Sequence, residues 1–340
     1  MLKPLRAHLH ASRLGIRRQR DALILALFGV TALAHAAPEA PAPAGQSALA
    51  SPFASQQLIQ AATRAGQRIV AVGDQGTVIY SDDEGKSFRQ ARQVPVRTML
   101  NAVWFIDHLR GWAVGHRGVI LATTDGGETW SLQRQDLNAD QPLFSVYFKD
   151  KQEGWACGLW SLLLHTQDGG QHWSPVELPT VNGKRADRNL YSLFASPKGP
   201  LYVAAEQGKV LRSSDGGKTW DTLDTGSRAS FWAGLSLADG SLIIGGLRGT
   251  LYRSTDGGEH WSPLESKTLS SITSLTQGPD AIHATALDGV TLTSPDGQHF
   301  EAHQRPDRQT LTALIPRPQA APLLFSREGV LPPEPARQGR

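Results

Sequence analysis

Six aspartates stand at near-constant spacing along this 340-residue sequence: Asp83, Asp125, Asp168, Asp215, Asp256 and Asp296. Paired carboxylates can protonate a leaving group and activate a nucleophile, which is the chemistry of glycoside hydrolysis. A second set is basic: Arg97, Arg117, Arg188, Arg228, Arg248 and Arg308 occupy similar spots in successive stretches of chain. A guanidinium fork donates two bonds at once and suits carboxylates and polar protein surfaces. The eleven histidines have no metal-ligand spacing, and Cys157 is the only cysteine. An internal disulfide is therefore impossible, and neither a metal nor a cofactor is expected.

The elements that must position these residues are repeats. Each aspartate lies in a short box: "SDDEGKSF" (81–88), "TTDGGETW" (123–130), "TQDGGQHW" (166–173), "SSDGGKTW" (213–220), "STDGGEHW" (254–261) and "SPDGQHF" (294–300). The spacings are 42, 43, 47, 41 and 40 residues. Ahead of each box run two strand-like segments, such as "GWAVG" and "GVILAT", with an innermost candidate such as "LNAVWF" before them; a fourth follows the box aromatic. Four short strands joined by tight turns fill such a period, which is that of a β-propeller blade. "LTALIP" (311–316) and "PLLFSREGVL" (322–331) read as a seventh, box-less blade. The expectation is an all-β, seven-bladed propeller of four-stranded antiparallel blades, with six blades as the runner-up. The missing outer strand of blade 7 is expected from "SALASPFAS" (47–55).

Six copies of one carboxylate around a ring fit a structural role better than a catalytic one. The aspartate is expected to bind backbone N–H groups one or two residues on, the glycines to take positive φ, and Trp130, Trp173, Trp220 and Trp261 to pack between blades. Phe88 and Phe300 replace the tryptophan at the two ends of the series. The remaining tryptophans, 104, 112, 155 and 232, read as core, except Trp160 in "GLWS". That residue fills the turn that Arg117 and Arg248 occupy elsewhere and is expected to face solvent or a partner, the alternative being that it folds over its own blade.

The net charge of +3 belongs to the N-terminus. Residues 1–36 hold six of the 34 Lys/Arg and one of the 31 Asp/Glu, so the remainder carries about −2. This gives no reason to expect nucleic acid as a partner. A basic leader, the apolar run "ALILALFGVTALA" (22–34) and the ending "AHA" read as a cleavable export signal, with an uncleaved anchor as the alternative. The expected organisation is a signal over 1–36, an Ala/Pro-rich linker over 37–52, the propeller over 53–331 and a flexible tail over 332–340.

The boxes are the Asp-box, or bacterial-neuraminidase, repeat of sialidases and of several non-enzymatic propellers. "LRGWAVGHRGVILATTDGGETW" (109–130) and "QEGWACGLWSLLLHTQDGGQHW" (152–173) resemble something narrower, the photosystem II stability/assembly factor family. The resemblance covers about residues 53–330 and implies a non-enzymatic lumenal propeller that holds a newly made membrane subunit; relatives without photosystems are expected to serve a membrane transporter. It also implies an arginine-rich docking face, which here would comprise Arg97, Arg117, Arg188, Arg228, Arg248 and Arg308, with Trp160 beside them. The bland reading of these arginines is solvated loop residues, some paired with Asp187 or Asp307. The expectation is an exported scaffold, in the periplasm or a thylakoid lumen, peripheral to a membrane and bound to an integral membrane protein. The alternative is a glycan-binding or glycan-cleaving propeller, which would need an acid, a Tyr–Glu pair and three arginines in one pocket. Tyr191 is the one tyrosine suited to that role, and no glutamate partner for it can be read from the sequence.

Overall fold

The β-branched and leucine-rich runs fold as the repeat predicts. The structure, a computed structural model, describes residues 47–181, 183–185, 187–318, 320–332 and 334. The expected export signal, the linker up to residue 46 and the tail from 335 lie outside these residues. Seven antiparallel sheets follow one another in chain order, each with its strands in sequence order from the inside out. The innermost strands are Ile59–Ala65, Leu100–Phe105, Leu143–Phe148, Leu190–Ala195, Phe231–Ser236, Ile272–Gln277 and Leu311–Arg317. Each packs against the innermost strand of the next blade, and the seventh returns to the first, so the ring is a seven-bladed β-propeller.

Blades 1 to 6 have four strands; blade 7 has three, ending in Gly329–Val330. No strand from residues 47–55 completes it, contrary to the sequence expectation. That stretch instead forms a single 3-10 turn, Ala54–Gln56. Ala54 packs with Phe325 and Leu323 of blade 7 and Ile69 of blade 1, so the N-terminal segment wedges the seam without pairing there. An extra two-stranded hairpin, Thr180–Val181 with Lys184–Arg185, accounts for the long spacing between the third and fourth boxes.

The core is a series of apolar layers between blades. Val70 and Tyr80 of blade 1 share a cluster with Val103, Phe105 and Trp130 of blade 2. Trp220 joins blades 3 and 4, Phe300 blades 5 and 6, Phe88 blades 7 and 1, Trp173 blades 2 and 3 and Trp261 blades 4 and 5. Each box aromatic thus wedges its own blade against the preceding one. Blade 7 has no box, and the cluster there is small: Leu311, Leu314, Leu324 and Leu331. A cavity of about 780 Å³ opens beside it, lined by Thr291, His303 and Arg305 of blade 6 and Leu323 and Leu331 of blade 7.

Candidate functional site

Because strands alternate direction, one face of the ring carries the boxes and the other carries the second-to-third turns and the loops entering each innermost strand. On the box face each aspartate is fully engaged. Thr123 Oγ1 donates to Asp125 Oδ1 at 2.8 Å and the Thr129 N–H at 2.9 Å, while Thr129 Oγ1 reaches Oδ2. The Trp130 indole N–H closes the motif on the Gly127 carbonyl at 3.0 Å. In this box the backbone donor lies four residues on, because Gly126 and Gly127, both at positive φ, fold the loop back over the carboxylate; in the shorter sixth box the Gln298 N–H, two residues on as expected, donates to Asp296 Oδ1 at 2.8 Å. His172, His260 and His299 take the threonine's place, each with Nδ1 2.7 Å from the box carboxylate. The backbone N–H of His260, its ring and Ser254 hold the Asp256 carboxyl down to about 2. Saturated in this way, the aspartates are staples.

The opposite face is built differently. In blades 1 to 6 the turn between second and third strands has two successive left-handed residues, the geometry that matches the twist of a tight hairpin. Gln75, Arg117, Trp160, Gln207, Arg248 and Asp288 hold the first of these, at φ between 51 and 59. Glycine adopts this region freely and other residues do so at a cost. Each of these turns nevertheless keeps a side chain there, and all six are exposed. Trp160 is 53% exposed, as expected of a residue facing solvent or a partner.

The expected arginines all lie on this face, and all are exposed except half-buried Arg188. Arg97 donates to Gln75 Oε1 at 3.2 Å and Arg188 to Gln207 Oε1 at 3.4 Å. Among the described residues the guanidinium groups of Arg117, Arg228, Arg248 and Arg308 have no hydrogen bond or ion pair. Asp307, expected beside Arg308, pairs instead with the buried Arg305 at 2.7 Å. Arg327 of blade 7 is a further exposed arginine on this side, which the sequence reading missed because blade 7 has no box to set its register.

At the centre of this face a cavity of about 550 Å³ runs down between the innermost strands. In every blade the pairing of innermost and second strands skips one residue, the second of the innermost strand. A bulge at that point re-aims the side chain it leaves unpaired. The seven residues so displaced are Gln60, Asn101, Phe144, Tyr191, Trp232, Thr273 and Thr312, and all line the cavity. Three of them tie the blades together: Asn101 donates to the Leu143 carbonyl, Thr273 to that of Leu311 and Thr312 to that of Ile59. Phe144, Tyr191 and Trp232 give blades 3 to 5 an aromatic wall, with the Phe144 and Tyr191 rings stacked at 5.5 Å. Trp232 is therefore a cavity residue, not the core residue its strand pattern predicted; a bulge has no period-two signature.

Tyr191 does have a glutamate partner. Its hydroxyl lies 3.0 Å from Glu206 Oε1, which also accepts from the Asn189 side chain at 2.8 Å. Burial is the largest influence on the Tyr191 phenol and raises its pKa. The sequence hides this pair because Glu206 sits in the blade 4 turn, brought across by strand pairing. The geometry thus supplies one feature of a sialidase-like site. Of the arginines, Arg327 is the one that lines this cavity.

The fold and its two faces define a seven-bladed Asp-box propeller with a basic, aromatic-lined mouth. Residues 90–184, which contain blades 2 and 3, match the family described as photosynthesis system II assembly factor YCF48. Two solved structures share the fold. One is YCF48 bound to D1 peptide, with a TM-score of 0.65, 18% identity, 81% of this chain covered and 92% of that chain. The other is YCF48 from Cyanidioschyzon merolae, with a TM-score of 0.62, 15% identity, and 84% and 97% covered. No curated protein matches the chain. The resemblance read from the repeats holds: this is a β-propeller like the photosystem II assembly factors.

Proposed function

We propose that the chain is an exported, non-catalytic scaffold that holds a segment of an integral membrane protein against its arginine face during assembly. The carrying observation is the set of guanidinium groups left without partners around a mouth with an aromatic wall. A client chain carrying carboxylates would satisfy Arg117, Arg228, Arg248 and Arg308, and an apolar side chain beside them would enter against Phe144, Tyr191 and Trp232. Arg suits this role because its planar fork meets a carboxylate with two bonds, and aromatic and arginine anchors dominate binding at such surfaces. That one YCF48 structure contains a D1 peptide supports a membrane-protein segment as the class of client. The periplasm is the expected site in a non-phototroph, with a transporter as client, and the thylakoid lumen in a phototroph.

The test is crosslinked affinity purification from membranes of the source cell, comparing the native chain with the Arg117→Glu/Arg228→Glu/Arg308→Glu variant. One integral membrane protein captured by the first and lost from the second is expected. Equal capture by both would overturn the arginine face as the docking site. The Tyr191–Glu206 pair favours a second reading, glycan binding at the same mouth. Selective binding on a glycan array that Tyr191→Phe abolishes would establish it.

A further inference from the structure

Beyond the arginines, the same face carries four of the seven large exposed apolar side chains among the described residues. Leu137 is 64% exposed, Leu247 37% and Leu269 79%, alongside Trp160. Loop entry to an innermost strand places Leu137 and Leu269 on this side, and the second-to-third turns place Trp160 and Leu247 there. They form two groups. Leu137 follows Asp136, whose N–H donates to the Arg117 carbonyl at 2.8 Å, so it lies over the blade 2 turn, one blade before the turn that carries Trp160. Leu269 follows Thr268, whose carbonyl packs against Gly249, so it lies over the blade 5 turn that carries Leu247 and Arg248. Blade 4 separates the two groups, and they stand on either side of the mouth. Among the described residues the box face has one such side chain, Leu109, and the N-terminal segment two, Leu49 and Phe53.

The exposed charge around these groups is mixed, with arginine its commonest residue. Four carboxylates on this face are bound within the protein: Asp136 to backbone N–H groups and Arg134, Asp224 to Lys209, Asp307 to Arg305 and Glu206 to Asn189 and Tyr191. Asp140, Asp187, Glu265, Asp288 and Glu328 remain exposed, against Arg97, Arg117, Arg228, Arg248, Arg308 and Arg327. Isolated leucines on a surface need no explanation, but leucines and a tryptophan gathered on one face with unpaired arginines do. Apolar tips among arginines with no partner match the boundary of a bilayer with anionic headgroups, where tryptophan and leucine enter the interface and arginine meets phosphate.

We propose that the arginine face rests on an anionic lipid surface, with Leu137 and Trp160 as one foot, Leu247 and Leu269 as the other, and the mouth held between them at the headgroups. The inference does not depend on the client reading, because the binding it describes needs no protein in the membrane. It does give that reading a geometry: a segment leaving the bilayer would emerge under the cavity.

The experiment uses the full chain and protein-free vesicles of phosphatidylcholine with or without phosphatidylglycerol, brominated on the acyl chains. None of the nine tryptophans lies within residues 1–46, so quenching of tryptophan emission reports only the propeller. Quenching by the anionic vesicles, absent with phosphatidylcholine alone, weakened by salt and lost in Trp160→Phe, is the expected result. Leu137→Ser/Leu269→Ser should lower vesicle affinity about tenfold or more, while Leu109→Ser on the box face leaves it unchanged. Vesicle binding without quenching of Trp160, or binding equal in the Leu137→Ser/Leu269→Ser variant and the native chain, would overturn the proposal, since the N-terminal apolar run would then account for it. No binding to anionic vesicles would overturn it as well. None of these outcomes bears on capture of a membrane protein, which the purification reads separately.

Discussion

The two faces of the ring use the same residue types to opposite ends. On the box face arginines meet carboxylates: Arg64 with Glu84, Arg68 with Asp82 and Glu128, Arg110 with Asp107, and Arg212 with Glu259. Box aspartates and the residues two before and three or four after them saturate one another, and the aromatic that follows packs between blades. On the other face Arg117, Arg228, Arg248 and Arg308 are unpaired among the described residues, Trp160 stands in solvent, and the first left-handed position of each second-to-third turn in blades 1 to 6 holds a side chain instead of glycine. Where local bonding is complete, substitution should cost stability. Where it is left open, substitution should cost binding. Surface ion pairs contribute little in either case, so the contrast rests on the staples and the buried aromatics.

The largest effect should come from breaking the box face. Trp220, 4% exposed, fills the seam between blades 3 and 4 and bonds the Gly217 carbonyl at 3.1 Å. Trp220→Ala should lose about 3–5 kcal/mol in denaturant unfolding. Acid should act on the same face. A carboxyl depressed by folding contributes stability that is complete above its unfolded value of about 4 and is lost as pH falls through the folded value. With Asp256 at about 2, the loss should begin below pH about 4 and continue to about 2. Asp256→Asn should flatten that part of the stability–pH curve, and an unchanged curve would show that the staple has no acid linkage.

Next in size is the seam without a staple. Blade 7 meets blade 6 through four buried leucines and the tie of Glu334 to His303 at 3.0 Å. Leu331→Ala should cost about 2–4 kcal/mol. Amide exchange of Leu311–Arg317 should then speed up before that of the blade 3 strands; uniform acceleration around the ring would show that the seams are equivalent.

The ring, the boxes and the arginine positions were legible because they repeat: a period of about 42 residues fixes blade number, and a residue's offset in the period fixes its face. What stayed hidden is what breaks the period. Blade closure needed a knowledge of how residues 47–56 lie against Gly329, where a Cβ would meet the Ser55 carbonyl. The aromatic wall depends on bulges, and Tyr191–Glu206 depends on a turn reaching back to an innermost strand. A partial signal was present: Gln60, Asn101, Phe144, Tyr191, Trp232, Thr273 and Thr312 hold one aligned position, and its change from polar to aromatic and back marks the wall. Glu334, placed in a tail expected to be flexible, is tied to the ring for a reason no composition reveals.

The smallest stability effect sharpens the comparison most. Arg117 and Arg248 sit at φ 58 and 56, where glycine would be relaxed, and their side chains bond nothing among the described residues. Replacing both by glycine removes a backbone cost but loosens the unfolded chain by a similar amount. Stability of Arg117→Gly/Arg248→Gly should therefore stay within about 1 kcal/mol of the native chain. Capture of the client, and affinity for anionic vesicles, should fall all the same. If stability drops by several kcal/mol instead, these arginines hold the turns together, and the two faces do not divide structure from binding as argued. If stability holds and binding falls, the strained positions are kept for what their side chains reach outside the protein.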